Sequence, residues 1–234
     1  MAERVFDTAR RYGGTAAYEY LGLRRSFAAF ERDVRRCARA LWALGIRPRE
    51  RVTVSLPNTP QAVVLFYALN QIGAAACMTH PLSSAEEMSF YIESAKPRAF
   101  FTMYQFYERL RPALARHGVG HIILTGAGDA LPRPVSSAMS VLEKKPPRGG
   151  GVLRWREFLN LARRIPEQDF PEKPDAESVA AILYSGGTSG KTKGILLTNG
   201  NFNALADMTA EASGDIAPGK KMLAVMPVFH GFGL

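Results

Sequence analysis

Between residues 51 and 125, short apolar segments alternate with helical segments, and this alternation is the feature that most limits the possible folds. Strands are predicted at 51–56, 74–78, 98–102 and 121–125. Strands separated by helices of ten to fifteen residues pair in parallel, as βαβ units. Strands that are apolar almost throughout lie in a sheet covered on both faces. The pattern therefore predicts an α/β fold with mostly parallel sheets covered by helices.

The ends of two of these helices are marked by polar side chains. Asn58 is predicted to cap the helix over 61–72, with Pro60 in its first turn. Ser84 and Glu87 have the spacing of a capping box for the next helix.

An earlier helix, predicted over 26–44, carries much of the positive charge. The chain has 30 basic and 21 acidic residues, a net charge of +9. The apolar residues of this helix recur at steps of three and four and predict its buried stripe: Phe27, Phe30, Val34, Cys37, Leu41 and Leu44. The arginines on its other face are not interleaved with aromatic residues, so we expect a solvated face and no nucleic-acid site. Cys37 lies on the apolar stripe, which indicates a core residue and not a nucleophile.

The rest of the composition is typical of a globular chain. No run of eighteen apolar residues occurs, so no membrane span is predicted. Two cysteines, Cys37 and Cys77, are too few for a disulfide framework and favour a reducing cytoplasm. Twelve of the 26 residues over 126–151 are Gly, Pro or Ser, which predicts a mobile surface loop.

The strand predicted over 178–184 continues directly into a loop with the composition of a phosphate site. Residues 185–194 include four glycines, four hydroxyl side chains and two lysines. Glycine lets the backbone approach a ligand closely, and successive N–H groups in such a turn form a concave anion site. Lysine adds a mobile positive charge suited to phosphate. The residues predicted to bind phosphate are Ser185, Gly186, Gly187, Thr188, Ser189, Gly190, Lys191 and Lys193.

Two kinds of phosphate loop compete for this segment. A Walker A loop, G-x-x-x-x-G-K-[ST], would end at 190–192 but requires glycine at 185, where the chain has Ser185. Its lysine also opens a helix, whereas 195–198 is β-prone and the next helix is predicted from about Asn201. Both the spacing and the continuation disfavour a P-loop phosphotransferase.

The alternative is a resemblance to a known family. The string Y-S-G-G-T-S-G-K-T-K-G, residues 184–194, resembles the signature Y-T-S-G-T-T-G-x-P-K-G of the adenylate-forming, or AMP-binding, enzymes. Gly186 replaces the usual serine and Thr192 the usual proline, and Asn199 stands where histidine is common. Residues 45–58 resemble the family's G-x-x-x-G-D-x-V-x-x-x-x-x-N, with Arg49-Glu50 in place of Gly-Asp, and 226–233 resemble its P-L-F-H-x-x-G. The resemblance covers roughly residues 20–234.

The resemblance implies a chemistry. These enzymes join a carboxylate to ATP, giving an acyl-adenylate and pyrophosphate, and a thiol, often that of coenzyme A, then accepts the acyl group. It implies ATP and coenzyme A, with Mg²⁺ arriving with ATP. The residues themselves predict no metal site in the chain, since His117 and His121 are separated by a turn-like Gly-Val-Gly and lack the spacing of a helical metal pair. Lys193 is implied to stabilise phosphate charge. His230, after a strand predicted over 222–226, is implied to lie beside the carboxylate or acyl pocket.

The resemblance also implies that residues 1–234 are an incomplete N-terminal AMP-binding domain without turnover of its own, because the family's hinge and C-terminal catalytic domain are missing. We expect an acyl-CoA synthetase acting on a fatty or aromatic acid. An amino-acid or aryl-acid adenylating enzyme, and a non-catalytic nucleotide-binding module, stay open as alternatives. An open sheet edge would favour self-association.

Overall fold

The computed structural model of the protein describes residues 1–132, 135–137, 139, 151–167, 170, 173–186, 192–214, 216–231 and 233–234. Its helices are α1 (Ala2–Tyr12), α2 (Phe27–Ala43), α3 (Pro60–Gln71), α4 (Ala85–Ala95), α5 (Tyr104–Arg116), α6 (Trp155–Asn160) and α7 (Asn199–Ser213). Its strands are β1 (Ala16–Tyr20), β2 (Leu23–Ser26), β3 (Arg51–Ser55), β4 (Ala75–Met78), β5 (Ala99–Met103), β6 (His121–Thr125), β7 (Val152–Arg154), β8 (Val179–Gly186) and β9 (Thr192–Thr198).

The described strands form one main sheet and one small hairpin. The main sheet has seven strands in the order β7-β6-β5-β3-β4-β8-β9. All its neighbouring strands are parallel except β8 and β9, which are antiparallel and leave β9 at one edge. The mostly parallel α/β sheet predicted from the sequence is confirmed. Helix α1 and the separate β1–β2 hairpin are additions that the sequence pattern did not predict.

Helices cover both faces of this sheet. On one face, Val54 and Phe101 join the large core that includes residues of α2, α3 and α6. On the other, Phe100 and Leu124 pack with α4 and α5. Successive side chains of a strand point to opposite faces, which is why adjacent Phe100 and Phe101 belong to different cores.

Helix α2 closely matches its prediction. The Ser26 side chain accepts a hydrogen bond from the backbone N–H of Ala29 and caps the helix, and Cys37 is fully buried in the core. On the polar face, Arg35 pairs with Glu31 at 2.8 Å and also lies over the ring of Phe6. Arg36 donates to the carbonyl of Leu159, and Arg39 pairs with Glu167, so these three arginines make structural contacts within the chain.

One predicted helix cap is wrong, and the predicted mobility of residues 126–151 is not tested. Thr59, and not Asn58, caps α3, because the Thr59 side chain accepts from the N–H of Ala62. Within 126–151, a short 3₁₀ helix occupies Ala127–Ala130, while 140–150 lie outside the described residues, so mobility of this stretch stays a prediction. No described helix is long and apolar enough to cross a membrane.

Candidate functional site

The predicted phosphate loop connects the two strands of a hairpin. Strand β8 ends at Gly186 and β9 begins at Thr192, and these two residues are register partners. One step further from the loop, Ser185 pairs with Lys193. Directly opposed residues of an antiparallel pair project from the same face of the sheet. Ser185 and Lys193 are therefore neighbours at the mouth of the loop, where Ser185 is half-buried and Lys193 is exposed.

The remaining residues of the loop lie outside the described part of the chain: Gly187, Thr188, Ser189, Gly190 and Lys191. The continuation of the chain is nevertheless defined. Residues 192–198 form a strand, and the next helix begins at Asn199. A Walker A loop would enter a helix at its lysine, so this strand-loop-strand connection argues against that alternative.

The two faces of the hairpin have different surroundings. Ser185 follows Leu183 by two residues, so both project toward the core formed with α2 and α3. Tyr184 projects to the other face, where its ring lies 4.3 Å from that of Tyr91. Burial raises the pKa of Tyr184 to about 12, so its hydroxyl stays protonated at neutral pH. Tyr184 is therefore a packing residue beneath the loop.

Gly194 has a packing reason that the sequence did not reveal. It is the register partner of Tyr184. A Cβ at position 194 would lie 3.3 Å from Cγ2 of Ile182 and 3.5 Å from the Tyr184 ring. The missing side chain lets the Tyr184 ring lie across β9. The final glycine of the loop signature thus supports the hairpin from the face opposite Lys193.

The strand predicted over 222–226, before His230, is wrong. These five residues pair with no strand among the described residues, and Met222 and Leu223 are 84% and 83% exposed. Their apolar composition has β-propensity, but a strand requires a neighbouring strand with free backbone groups. Backbone groups of 224–228 bond to the Asn58 side chain instead. We name residues 224–231 the His230 segment.

His230 itself lies in a turn. Its backbone N–H donates to the Pro227 carbonyl oxygen at 3.0 Å, and its own carbonyl accepts from the N–H of Gly233 at 2.9 Å. Gly233 comes so close to Pro227 that a Cβ there would lie 2.2 Å from the Pro227 oxygen. The turn that carries His230 therefore requires glycine three residues later.

The His230 segment lies across the carboxyl ends of three strands. Asn58, which follows β3, bonds to its backbone. His80, which follows β4, packs edge-on against Phe229 with ring centres 4.6 Å apart. At β8, a Cβ on Gly231 would lie 3.6 Å from Cδ1 of Leu183. The structure thus brings the His230 segment to the carboxyl ends of the parallel strands, where the Ser185–Lys193 pair also lies. Parallel sheets bind ligands at the carboxyl ends of their strands.

A buried chain of amides supports the hairpin from behind. The N–H of Ala2 donates to Oδ1 of Asn70 at 2.9 Å, and Nδ2 of Asn70 donates to Oδ1 of Asn199 at 2.5 Å. Nδ2 of Asn199 then donates to the carbonyl of Asp175 at 2.7 Å. Asn70 and Asn199 are each 2% exposed. We name this chain the amide relay; it ties α1, α3 and the start of α7 to the connector before β8.

Other candidate groups lie elsewhere or are chemically inert. Burial raises the pKa of Cys37 well above its usual value and that of Cys77 to about 12, so neither thiol is an activated nucleophile. The described residues contain no cluster of three or more His, Cys, Asp or Glu that would hold a metal ion. Two surface cavities of about 460 Å³ each lie near the amino-terminal ends of the strands, one beside Arg51 and the other beside Arg98.

Comparison with known proteins identifies the relatives of this chain. The long-chain-fatty-acid–CoA ligase of Bacillus subtilis is 26% identical over 242 residues, which are 97% of this chain and 42% of that protein. The crystal structure of a long-chain-fatty-acid–CoA ligase from Archaeoglobus fulgidus superposes with a TM-score of 0.73 at 22% identity, over 98% of this chain and 42% of that one. ATP-bound MatB from Rhodopseudomonas palustris superposes with a TM-score of 0.77 at 20% identity, over 99% and 41%.

The chain thus spans less than half the length of these relatives. The sequence profile of the AMP-binding enzyme family matches residues 5–234, nearly the whole chain. This match includes the β8–β9 hairpin and the His230 segment. The chain therefore belongs to the AMP-binding enzyme family.

Proposed function

We propose that this chain forms the nucleotide-binding part of an ATP-dependent acid–thiol ligase. In the proposed reaction, a carboxylate oxygen attacks the α-phosphorus of ATP, and the bond from that phosphorus to the bridging oxygen of pyrophosphate breaks. The products are an acyl-adenylate and pyrophosphate. The thiol of coenzyme A then attacks the acyl carbon, forms a thioester and releases AMP.

The observation that carries this proposal is the cross-strand pair of Ser185 and Lys193 at the base of the loop. The pair places a hydroxyl and a cationic side chain on one face of the hairpin, at the carboxyl edge of the sheet. The His230 segment crosses the same edge. Phosphate chemistry requires donors and positive charge, and these residues supply both.

Each residue has a distinct proposed role. Lys193 stabilises the negative charge that builds up on the leaving pyrophosphate, and Ser185 donates a hydrogen bond to a phosphate oxygen. The amides of the loop from Gly186 to Gly190, together with Thr188, Ser189 and Lys191, surround the phosphates. His230 lies beside the carboxylate. In this proposal Mg²⁺ arrives coordinated by the phosphates of ATP and neutralises part of their charge.

A fatty or aromatic acid is the proposed substrate class. The side chains before His230 are apolar and accessible: Met222, Leu223 and Val225 are 84%, 83% and 67% exposed. Such side chains suit an acid with an apolar body. Relatives named long-chain-fatty-acid–CoA ligases support the same class. Because both cysteines are unpaired, we place the reaction in a reducing compartment, the cytoplasm.

Binding of Mg²⁺–ATP to the 234-residue chain, measured by titration calorimetry, tests the nucleotide site. Lys193→Ala should abolish measurable binding or weaken it at least about tenfold, because a charge-assisted contact to phosphate is lost. Lys96→Ala makes the same charge change at the opposite edge of the sheet and should leave the affinity unchanged. Equal affinities for wild type and Lys193→Ala would remove the assignment.

Acid-dependent exchange of labelled pyrophosphate into ATP, measured on the whole encoded polypeptide, tests the chemistry. A panel of acetate, palmitate, benzoate and amino acids identifies the substrate class, and activity with amino acids alone would contradict a fatty or aromatic acid. Lys193→Ala should lower the exchange rate about 10²–10³-fold, as loss of a transition-state donor does in other enzymes. The 234-residue chain alone should show no exchange, since we propose that it supplies only part of the catalytic machinery.

A further inference from the structure

Asn58 uses its whole amide group on the backbone of a segment far away in the sequence. Its Nδ2 donates to the carbonyl oxygens of Ala224 at 3.0 Å and Met226 at 2.8 Å. Its Oδ1 accepts from the N–H of Val228 at 2.9 Å. A primary amide has two N–H donors and one carbonyl acceptor, so both donors and the acceptor are engaged.

These three bonds fix the residues on either side of Pro227, and Pro227 begins the turn that carries His230. The turn is closed by the N–H of His230 donating to the Pro227 carbonyl at 3.0 Å. Because 222–226 form no strand, no ladder of backbone bonds to another described strand holds this part of the chain. Asn58 thus performs with one side chain what a neighbouring strand would otherwise do.

Apart from the bonds to Asn58, the side-chain contacts of the His230 segment are apolar and do not fix its register. Phe229 packs against His80, and Val228 and Phe229 pack on the main core. Apolar contacts are non-directional and allow the segment to slide. Hydrogen bonds to every second residue of the segment, in contrast, set its register and rotation. Asn58 therefore determines where the His230 turn lies over the end of β8.

We propose that Asn58 is a positioning residue that holds His230 in place for the acid-activating step. This inference rests on the proposed function, since His230 has a task only if the chain takes part in that reaction. Asn58 acts through the backbone of 224–228 and does not itself touch substrate. Its removal should therefore affect the acid-dependent step and spare ATP binding, which depends on the β8–β9 hairpin.

Three variants separate positioning from general stability. Asn58→Ala removes all three bonds. Asn58→Asp keeps the shape and the acceptor for the Val228 N–H, but its ionised carboxylate faces two carbonyl oxygens without a donor. Thr59→Ala is the matched control, because it removes the cap of α3 one residue away and leaves the bonds to 224–228 intact. A merely structural role would make Thr59→Ala behave like the Asn58 variants.

The first measurement is amide hydrogen exchange in the 234-residue chain. Protection of the Val228 and His230 N–H groups should fall at least about tenfold in Asn58→Ala and Asn58→Asp, since the lost bonds each contribute to holding the segment closed. Thr59→Ala should leave this protection unchanged relative to the rest of the sheet. Unchanged protection in both Asn58 variants would overturn the inference.

The second measurement is acid-dependent pyrophosphate exchange with the whole encoded polypeptide. The kcat should fall about tenfold in both Asn58 variants, with the KM for ATP unchanged and Thr59→Ala close to wild type. Loss of Val228 protection without any change in kcat would overturn the positioning role while leaving the proposed function intact. A wild-type polypeptide without acid-dependent exchange would instead overturn the proposed function, and the role of Asn58 in that reaction with it.

Discussion

Breaking the amide relay at Asn199 should cost a large part of the stability of the fold. Asn199→Ala removes the bond from Asn70 at 2.5 Å and the bond to the Asp175 carbonyl at 2.7 Å. It also leaves the Nδ2 of Asn70 without its acceptor inside the core, since Asn70 is only 2% exposed. Two net hydrogen bonds and one stranded donor amount to about 2–4 kcal/mol of the free energy of unfolding. Single domains typically have about 5–15 kcal/mol in total.

Urea unfolding followed by the fluorescence of Trp42 and Trp155 measures this loss. Asn203→Ala, one turn further along α7, is the control for helix propensity and should change the free energy of unfolding by about 0.5 kcal/mol or less. Replacing both relay amides, as Asn70→Leu with Asn199→Leu, removes donor and acceptor together. The double variant should be more stable than the sum of the single losses predicts, by about 1 kcal/mol or more.

Two results would refute this reasoning. A loss below about 0.5 kcal/mol in Asn199→Ala would mean that water or a rearranged Asn70 replaces the missing acceptor. Strictly additive effects of Asn70→Leu and Asn199→Leu would mean that the two amides are energetically independent.

Three further outcomes follow from other parts of the structure. Thr102 is fully buried near the end of β5, and its hydroxyl has no hydrogen-bond partner among the described residues, so Thr102→Val should raise the free energy of unfolding by about 1 kcal/mol. Thr125→Val should instead lower it, because it removes one of the two acceptors of the Gln61 amide, the other being the Gly126 carbonyl oxygen. Burial raises the pKa of Cys77 from 9.0 to about 12. Its contribution to stability is therefore complete below about pH 8.5 and declines as the pH rises toward 12, because the thiol of the unfolded chain ionises first. Urea unfolding at a series of pH values should show a shallower alkaline decline of stability in Cys77→Ala, and an identical slope would contradict this. Leu196 is 59% exposed on the edge strand β9, so Leu196→Lys should reduce any concentration-dependent association seen by sedimentation, more than Leu205→Lys on α7 does.

The sequence predicted the order of the elements well because that order depends on local pattern. The apolar runs that became β3, β4, β5 and β6 are each bounded by turn or helix signals, and their burial on both faces leaves few alternatives. The Ser84–Glu87 capping box forms as expected, since both partners lie within four residues. Local signals of this kind need no knowledge of the tertiary structure.

The predicted phosphate loop stands out in the sequence for a similar reason. Its glycines, hydroxyls and lysines stand next to each other in the sequence, and the strand-like continuation distinguished it from a Walker A loop. The reason for Gly194 was not recognisable, because its neighbour across the hairpin is Tyr184, and their contact depends on the register of β8 against β9. The sequence pattern thus predicts phosphate binding, which stays a proposal, whereas the packing of Gly194 against Tyr184 became visible only with the register of the two strands.

The placing of His230 depended on a contact that leaves no trace in the segment itself. Asn58 bonds to backbone atoms 166, 168 and 170 residues away, and every residue except proline offers the same backbone groups. The side chains of 222–226 therefore carry only their β-propensity, which predicted a strand that does not form. It follows that Ala224 and Met226 should tolerate conservative substitution without moving His230, whereas position 58, where two donors and one acceptor are needed on a single short side chain, should tolerate almost none.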